Sequence, residues 1–288
     1  MIEQTKGNRF CRRPETISAA VEVMKDLPAY KPSIRAVLFD FDGTISTLRQ
    51  GWEKIMAPFM VEMITGGTSY PDSEDIIRDV KGYIEESTGI QTIFQMQWLV
   101  KEVRRYGRNP QVHDEWWYKE EYNRRLLRIV RERVDALEKG SRSPEDYMIR
   151  GAGSFIQALQ EKGPALYVAS GTDHGDVARE VGVLGLYDLF TQVAGAPEGR
   201  ADCSKEAVLR MLMEEKGLRG EELLVIGDGK VEIALGIEAG AITIGAATNE
   251  VLRHGINQTK REKLIRAGAH MIIGDFSDRQ GIFSLLFP

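Results

Sequence analysis

Residues 35–44 read Arg-Ala-Val-Leu-Phe-Asp-Phe-Asp-Gly-Thr and contain the clearest structural signal of the chain. Its first half is a short run of bulky apolar residues that stops at Asp40, which is typical of a buried parallel β-strand. Two carboxylates, Asp40 and Asp42, follow where the strand ends. Because a loop at a strand end can direct both side chains toward one ligand, the stretch predicts a site as well as a strand.

Four later runs have the same apolar character, at residues 165–169, 222–226, 241–244 and 270–273. Helical patterns separate them, among them residues 154–162, 205–216 and 231–239. Short strands that alternate with helices predict an α/β fold, a Rossmann-like parallel sheet with helices on both faces. Because ligands bind beyond the carboxyl ends of such strands, we expect three polar clusters to meet at one edge: residues 40–42, 170–172 and 227–229.

The spacing between the first two strands is unusual. About 120 residues separate Thr44 from Ala165, far more than an ordinary loop. Helical patterns fill the segment, at residues 51–64, 73–86, 90–106 and 114–137. We therefore predict an all-helical cap domain over residues 47–146, with residues 141–144 as a return linker, inserted into a core made of residues 1–46 and 147–288. Residues 15–26 have helical spacing, and we expect residues 1–33 to be an N-terminal helical extension of that core.

Composition excludes several classes of protein. The net charge of −5 and the pI near 5.6 argue against nucleic acid as the main partner, because binding phosphate backbones needs a basic surface. Two cysteines, Cys11 and Cys203, cannot make a disulfide framework. The N-terminus lacks the apolar stretch of a secretory signal, and no segment approaches about 18 uninterrupted apolar residues. These features predict a soluble cytoplasmic protein with no membrane partner.

The carboxylates at the strand ends suggest phosphoryl transfer. A carboxylate such as Asp40 can attack phosphorus, which splits one hard displacement into two easier ones. Such an attack on a dianionic phosphate needs a cation, and Mg²⁺ suits this role because one or two carboxylates plus substrate phosphate commonly hold it. Asp228, at the end of another strand, is the candidate additional ligand. Glu232 lies one helical turn further on and can face the same site.

Two further elements suit a phosphate group. Ser170 and Gly171 follow the second strand, where a small hydroxyl and exposed backbone N–H groups can bind phosphate oxygens. Lys205 begins a helical pattern and is a candidate for the fixed positive charge that phosphoryl transfer requires, although Arg200 and Lys230 compete for this role.

These elements, in this order, resemble the four motifs of the haloacid dehalogenase superfamily: Asp40-Phe-Asp42-Gly-Thr44, Ser170, Lys205 and Gly227-Asp228-Gly-Lys-Val-Glu232. The resemblance extends from about residue 35 to the C-terminus, apart from the insert, which lies where members similar to phosphoglycolate phosphatase carry a helical cap. It implies that Asp40 is the nucleophile and a metal ligand. It also implies that Asp42 is the general acid and base, with its backbone carbonyl on Mg²⁺.

The resemblance implies the remaining roles as well. Ser170 and the Gly171 N–H bind the transferring phosphoryl group, and Lys205 balances its charge. Asp228 binds Mg²⁺, while Glu232, in place of the commoner aspartate, binds through water or orients the cluster. Thr44 completes the first motif as a supporting residue.

The second aspartate narrows the chemistry. Dehalogenase-type and phosphonatase-type members lack it, so Asp42 argues against both. A phosphatase that hydrolyses a small phosphorylated metabolite, such as a sugar phosphate or phosphoglycolate, is the commoner outcome. A phosphomutase would keep all four motifs and is one alternative. The other alternative is a non-catalytic module that binds a phosphorylated ligand.

We expect residues of the cap to contact the substrate. Trp52 and Glu53 follow the first motif closely enough to contact substrate at the junction of cap and core. We expect Trp98 and residues 116–118 to form the cap's own core, and the arginines of residues 124–133 to lie on a solvated helix face. His174 follows the second motif, and we expect it to be a surface or helix-start histidine.

Overall fold

Eight strands form one sheet in the structure, a computed structural model that describes residues 15–18, 21–25, 33–67, 73–201 and 204–287. The strands are β1 Glu15–Ser18, β2 Val21–Val23, β3 Ala36–Phe39, β4 Ala165–Asp173, β5 Gln192–Ala196, β6 Leu223–Gly227, β7 Ile242–Ala246 and β8 Met271–Ile273. Their spatial order is β1-β2-β8-β7-β6-β3-β4-β5. Strands β3 to β8 are mutually parallel, whereas β1 and β2 add an antiparallel edge.

Ten α-helices complete the described part of the chain. Four follow β3: α1 Glu53–Thr65, α2 Glu74–Glu86, α3 Thr92–Tyr106 and α4 Glu115–Glu138. Six lie in the same part of the chain as strands β4 to β8: α5 Ala152–Glu161, α6 His174–Val183, α7 Ser204–Arg210, α8 Lys230–Glu238, α9 Gln258–Ala267 and α10 Arg279–Leu286. Helix α7 continues into a π-helical turn, Met211–Glu215. Within the described residues, no helix combines the length and the apolar content needed to cross a membrane.

The sheet is covered on both faces, as its sequence predicts. All residues of β3, β6 and β7 are buried, which explains why these strands read as continuous apolar runs instead of alternating patterns. Neighbouring residues of β3 nevertheless belong to different cores, because side chains alternate across a strand: Val37 and Phe39 join the larger hydrophobic cluster, and Ala36 and Leu38 join a second. The α/β architecture with a parallel sheet is therefore confirmed.

The sequence did not predict β5. The strand is built mainly from small and polar residues, Gln-Val-Ala-Gly-Ala, and lacks the bulky apolar run that predicts the other five parallel strands. Its glycine has a packing reason: a Cβ at Gly195 would lie 2.5 Å from the Cα of His174, at the start of α6. Only tertiary packing reveals this need.

The predicted helix over residues 15–26 is wrong where the structure describes that segment. Residues 15–18 and 21–23 form strands instead, and Val21 pairs with Ile273 of β8. A strand edge presents a row of unpaired N–H and C=O groups, and β2 satisfies the edge of β8. Branched residues such as Val21 and Val23 also favour strands over helices. Residues 1–14, 19–20 and 26–32, which belong to the predicted extension, lie outside the described residues.

Each helical pattern of the insert corresponds to one of the helices α1 to α4, and α4 is hydrogen-bonded both to the chain that leaves β3 and to the core. Arg133 donates from Nη1 to the carbonyl oxygens of Leu48 at 2.6 Å and Gln50 at 3.1 Å. Asp173, at the end of β4, accepts hydrogen bonds from Lys119 and Asn123. The predicted solvated face is thus wrong for Arg133, which is partly buried against the base of the insert.

Arg49, in the chain that leaves β3, forms a buried ion pair with Glu180 of α6. Arg49 is 8% exposed and Glu180 is 2% exposed. The Arg49 guanidinium donates to Glu180 at 2.6 Å and 3.0 Å, and to Asp176 at 3.1 Å. Burial raises the pKa of the Glu180 carboxyl to about 7, although the neighbouring Arg49 charge opposes this rise. The pair therefore joins the chain after β3 to helix α6.

Two helical glycines, one buried and one exposed, allow the packing of the core to be tested. A Cβ at Gly236 in α8 would lie 2.7 Å from Cγ2 of Thr243, a fully buried residue of β7. We expect Gly236→Ala to lower the free energy of unfolding by about 1–3 kcal/mol through overpacking. Gly182→Ala in α6, where a Cβ meets nothing within 4 Å, should raise it by up to about 1 kcal/mol. Chemical denaturation measures both, and equal changes would contradict this packing.

The buried ion pair gives a second test. Glu180→Ala leaves the Arg49 guanidinium buried without its main partner, so we expect a loss of about 3–5 kcal/mol of unfolding free energy. Arg179→Ala is the matched control on the same helix, because Arg179 pairs with Glu138 at an exposed position and should change stability by less than about 1 kcal/mol. Thermal and chemical denaturation of both variants check the difference. A loss from Glu180→Ala no larger than the control's would show that the pair is not a major stabilising contact.

Candidate active site

The order of the strands brings the three predicted clusters together. Strand β3 lies between β4 and β6, and Phe39 is in register with Val168 on one side and Ile226 on the other. The Asp40 N–H donates to the carbonyl oxygen of Ile226 at 2.9 Å, which fixes the chain just past the strand. The expected meeting of the clusters at the carboxyl edge of the sheet is confirmed by this register.

Lys205 forms the centre of the site. It is 3% exposed, and its Nζ lies 2.9 Å from Oδ1 of Asp40 and 2.9 Å from Oε2 of Glu232. The other Glu232 oxygen accepts the N–H of Gly229 at 2.5 Å. The glutamate fits here because residue 227 is glycine: a Cβ at Gly227 would lie 2.1 Å from Cγ of Glu232. Among the three competing basic residues, Lys205 is therefore the one that contacts Asp40.

Burial dominates the electrostatics of this centre. It raises the pKa of the Asp40 carboxyl well above its ordinary value; the Lys205 charge opposes the rise, and Glu232 and Asp228 add to it. Glu232 is buried as well, but Lys205 and two backbone N–H groups hold the pKa of its carboxyl below the ordinary value. Although burial acts to lower the pKa of Lys205, the two carboxylates raise it, so the lysine stays charged. Glu232 is thus the ionised partner that holds Lys205 against Asp40.

Asp42 occupies a different environment on the other side of Asp40. Its Oδ2 accepts hydrogen bonds from Ser170 Oγ at 3.2 Å and from Thr172 Oγ1 at 2.8 Å. Its Oδ1 has no hydrogen-bond partner within the described chain, and Nε of Arg49 lies 4.0 Å from it. Two hydroxyl groups therefore fix the orientation of the Asp42 carboxyl, and its other oxygen is buried near Arg49.

A second pair of acids shares another lysine. Lys260 of α9 contacts the carboxylates of both Asp228 and Glu250, the latter at 2.5 Å. Burial raises the pKa of Asp228 to about 6; Lys260 opposes the rise, and the nearby Glu250 and Glu232 add to it. Gly43 allows this crowding, because a Cβ there would lie 2.3 Å from Oδ2 of Asp228.

The acids of the site fit a divalent cation. Carboxylate oxygens of Asp40, Asp228 and Glu232 lie within 4.8 Å of one another. Adding Glu250 gives four carboxylates against the ammonium groups of Lys205 and Lys260, so the cluster has an excess of negative charge that one divalent cation would balance. Oxygen donors of this kind suit a hard cation. Both oxygens of Glu232 accept short hydrogen bonds, at 2.9 Å and 2.5 Å, whereas Oδ2 of Asp40 accepts only the long bond from Thr44 at 3.4 Å, so Asp40 and Asp228 are the better candidate ligands.

A cavity of about 280 Å³ opens above these residues, between the sheet edge and the insert. This volume is near the lower end of small-molecule sites. Of the predicted site residues, those that line it are Asp40, Asp42, Trp52, Glu53, Ser170, Gly171, Lys205 and Asp228. Thr44 is buried behind Asp40 and donates from Oγ1 to Oδ2 of Asp40 at 3.4 Å.

The loop between α2 and α3 reaches the centre of the site. The carbonyl oxygen of Gly89 accepts a hydrogen bond from Nζ of Lys205 at 3.2 Å. A Cβ at Gly171 would lie 3.1 Å from the carbonyl oxygen of Ile90, so this glycine permits the loop to approach. The insert therefore covers the carboxylates directly, and the predicted binding of phosphate by the Gly171 N–H stays a prediction.

Other residues named from the sequence lie away from the chemistry. Among the described residues that line the cavity, His174, Arg200 and the arginines of residues 124–133 do not appear. Tyr118 is fully buried in the insert, as expected, but Trp116 and Trp117 are 36% and 40% exposed. The expectation that these two tryptophans form the core of the cap is wrong: Trp117 stacks on His113 near the start of α4, and the Trp116 ring lies beneath the Lys119 ammonium.

Several residues of the site escaped the sequence analysis. Thr172 belongs to the run Ser-Gly-Thr after the second strand, where the sequence predicts no role for it. Arg49 lies seven residues after Asp42 and had no motif to mark it. Glu250 and Lys260 belong to a segment with no recognisable motif, and Tyr122 reads as part of the apolar pattern of α4. Their involvement follows from how the chain folds back, which spacing along the sequence does not encode.

Comparison with known proteins agrees with this geometry. The family model of haloacid dehalogenase-like hydrolases matches residues 34–240. A search of curated proteins gives no match. A predicted phosphoglycolate phosphatase from Haemophilus somnus is a similar solved structure, with 17% identity and a TM-score of 0.59 over 87% of this chain and 98% of its own.

Two other solved structures are similar to the same extent. A β-phosphoglucomutase from Clostridium difficile has 14% identity and a TM-score of 0.58, covering 88% of this chain and 97% of its own. A hydrolase from Pseudomonas syringae has 15% identity and a TM-score of 0.56, covering 88% and 100%. At these identities the likeness shows the fold alone. The family match contains all four motifs, from Asp40 through Ser170 and Lys205 to Glu232, and the chain belongs to the haloacid dehalogenase-like hydrolases.

Proposed function

We propose that this protein is a Mg²⁺-dependent phosphatase that hydrolyses a small phosphorylated metabolite through an aspartyl-phosphate on Asp40. The proposal rests on one observation: Asp40 and Asp42 line the same cavity, but different chemical groups contact their carboxylates. Asp40 lies against the Lys205 ammonium at 2.9 Å, whereas two hydroxyl groups hold Asp42. Such a difference suits one carboxylate to nucleophilic attack and the other to proton transfer.

In the first half of the reaction, a carboxylate oxygen of Asp40 attacks phosphorus and forms the acyl-phosphate bond. The bond between phosphorus and the ester oxygen breaks, and Asp42 donates its proton to the departing alcohol oxygen. Lys205 offsets negative charge on the transferring group. Ser170 lies beside Asp42 and can donate to a phosphoryl oxygen once substrate is bound.

In the second half, water attacks phosphorus and Asp42 accepts its proton. The bond between phosphorus and Asp40 breaks, which regenerates the carboxylate and releases inorganic phosphate. Thr172 keeps Asp42 in place for both proton transfers. One aspartate therefore changes from acid to base between the two steps.

Asp40, Asp228 and the backbone carbonyl of Asp42 are the groups that would hold Mg²⁺. When bound, the ion supplies positive charge for the transferring phosphoryl group. The excess of carboxylates over ammonium groups in the cluster supports this assignment.

Two alternatives keep the same residues. A phosphomutase would return the phosphoryl group to a hydroxyl of the bound sugar instead of to water, and the fold likeness to a β-phosphoglucomutase keeps this possibility in view. A non-catalytic module would bind a phosphorylated ligand without turnover. A screen of p-nitrophenyl phosphate and phosphorylated metabolites, with and without Mg²⁺, separates the three. Phosphate release that needs Mg²⁺ supports the phosphatase, isomerisation without release supports the mutase, and binding alone supports the module.

The nucleophile has a direct test. Asp40→Asn removes the attacking oxygen's charge with little change of shape, so we expect Mg²⁺-dependent hydrolysis of p-nitrophenyl phosphate to fall roughly a thousandfold or more. Asp188→Asn is the matched control, because Asp188 is an exposed residue of the same core domain. Melting curves should show that both variants fold. Near-native turnover by Asp40→Asn would rule out Asp40 as nucleophile.

The metal site can be tested without turnover. Asp228→Asn removes a charged ligand, and we expect the affinity for Mg²⁺, measured by isothermal titration calorimetry, to fall at least about tenfold. The Asp188→Asn variant should bind Mg²⁺ like the native protein. Unchanged affinity in Asp228→Asn would mean that the ion, if it binds, lies elsewhere.

A further inference from the structure

Lys260 is the second lysine of the acid cluster, and its surroundings differ from those of Lys205. The Lys205 side chain is 4% exposed, and its ammonium bonds to two carboxylates and a backbone carbonyl. The Lys260 side chain is 18% exposed, and within the described residues its ammonium bonds to Asp228 and Glu250 alone. Because lysine has a flexible stem and three rotatable donors, a partly exposed lysine can exchange partners. Lys205 is thus the fixed charge of the cluster and Lys260 the exchangeable one.

The oxygen that Lys260 contacts lies beside the first motif. Lys260 donates to Oδ2 of Asp228. A Cβ at Gly43 would lie 2.3 Å from this same oxygen and 3.2 Å from Oε1 of Glu250. Gly43 directly follows Asp42, whose backbone carbonyl is a candidate ligand of the ion. An ion held by Asp228 and by this carbonyl would therefore share the Asp228 carboxylate with the ammonium.

Two cations on one carboxylate repel each other, and the repulsion is strong where bulk water does not screen it. Mg²⁺ has twice the charge of an ammonium and prefers carboxylate oxygens. Glu250 offers the ammonium another partner: it already accepts from Nζ of Lys260 at 2.5 Å, and its side chain is 18% exposed against 8% for Asp228. The ammonium can therefore leave Asp228 and keep its bond to Glu250.

We propose that Lys260 sets the affinity of the site for Mg²⁺ by competing with the ion for Asp228, and that Glu250 retains the ammonium when the ion binds. This inference rests on the proposed Mg²⁺-dependent function and adds to it two residues outside the four motifs. Binding exchanges one pairing for another: the hydrogen bond from Lys260 to Asp228 breaks, the bond to Glu250 stays, and Asp228 becomes a ligand. The affinity is lower than the same carboxylates would give without the lysine.

Two variants test the proposal, because their expected effects have opposite signs. Lys260→Met removes the ammonium and keeps an apolar stem, so we expect the dissociation constant for Mg²⁺, measured by isothermal titration calorimetry, to fall about tenfold or more. Glu250→Gln leaves Asp228 as the charged partner of the ammonium, so the constant should rise about threefold or more. If Lys260 only oriented Asp228, Lys260→Met would weaken binding instead, as the loss of a group that orients a ligand does.

Lys263→Met and Glu85→Gln are the matched controls, since each removes one charge from the same cavity. Lys263 lies one turn after Lys260 on α9, and both Lys263 and Glu85 line the cavity. The Lys263 ammonium donates to the backbone carbonyl of Glu85 at 3.3 Å, and in the described chain neither side chain is paired with Asp228. Each control should change the affinity by less than about twofold. They separate direct competition from the net charge of the cavity.

Thermal denaturation gives a second measurement that does not depend on turnover. A ligand that binds the folded state raises the melting temperature according to its affinity. At one Mg²⁺ concentration, the rise should be larger for Lys260→Met than for the native protein and smaller for Glu250→Gln. Glu250→Gln keeps the pair of Lys260 with Asp228, so it decides the question even if Lys260→Met does not fold.

The outcomes distinguish this inference from the proposed function. If the native protein neither binds Mg²⁺ nor hydrolyses p-nitrophenyl phosphate in its presence, both are overturned. If it does both, but Lys260→Met binds Mg²⁺ no more tightly than the native protein, the inference alone is overturned. Tighter binding by Glu250→Gln, or an equal gain from Lys263→Met, also overturns it.

Discussion

The ammonium group of Lys205 is the contact on which the site depends. It is buried between Asp40 and Glu232, with nitrogen-to-oxygen distances of 2.9 Å to each. Buried charges are costly unless they are paired and hydrogen-bonded, so these three groups constrain one another strongly. The strand end that carries Asp40, the first turn of α8 that carries Glu232 and the start of α7 must all meet at this point. The insert is tied to it as well, because the Gly89 carbonyl accepts a hydrogen bond from the same lysine.

Around this centre the site divides into two electrostatic halves. On one side, lysines and acids alternate in close contact, from Glu232 and Lys205 to Asp228 and Lys260. On the other, Asp42 is held by hydroxyl groups and faces Arg49 across 4.0 Å. The first half suits a phosphoryl group and a cation, and the second suits the proton transfer and the alcohol. This separation, more than the resemblance in fold, supports phosphate ester chemistry.

The insert contributes to both halves, although it contains none of the four motifs. The carbonyl oxygen of Gly89 in its loop accepts a hydrogen bond from Lys205, and Tyr122 of α4 lines the cavity. Bonds from Arg133 to the carbonyls of residues 48 and 50 hold α4 against the chain that leaves β3. The cavity is therefore lined in part by elements that are far from Asp40 and Asp42 in sequence and close to them in space.

By itself, the sequence determined the parallel sheet, the strands with bulky apolar residues and the acids at their ends. These features have local causes: apolar runs predict buried strands, and parallel topology gathers their carboxyl ends. The tertiary structure alone established the edge strands β1 and β2, the small-residue strand β5, and the positions in the site of Arg49, Glu250, Lys260 and Tyr122. Residues 15–18 and 21–23 have helical spacing but form strands, because β2 forms hydrogen bonds with the edge of β8. The residues of β5 are small because helix α6 packs closely against Gly195. Ion pairs over long sequence separations, such as Asp228 with Lys260, leave no periodicity in the chain, because only the folded backbone sets the distance between them.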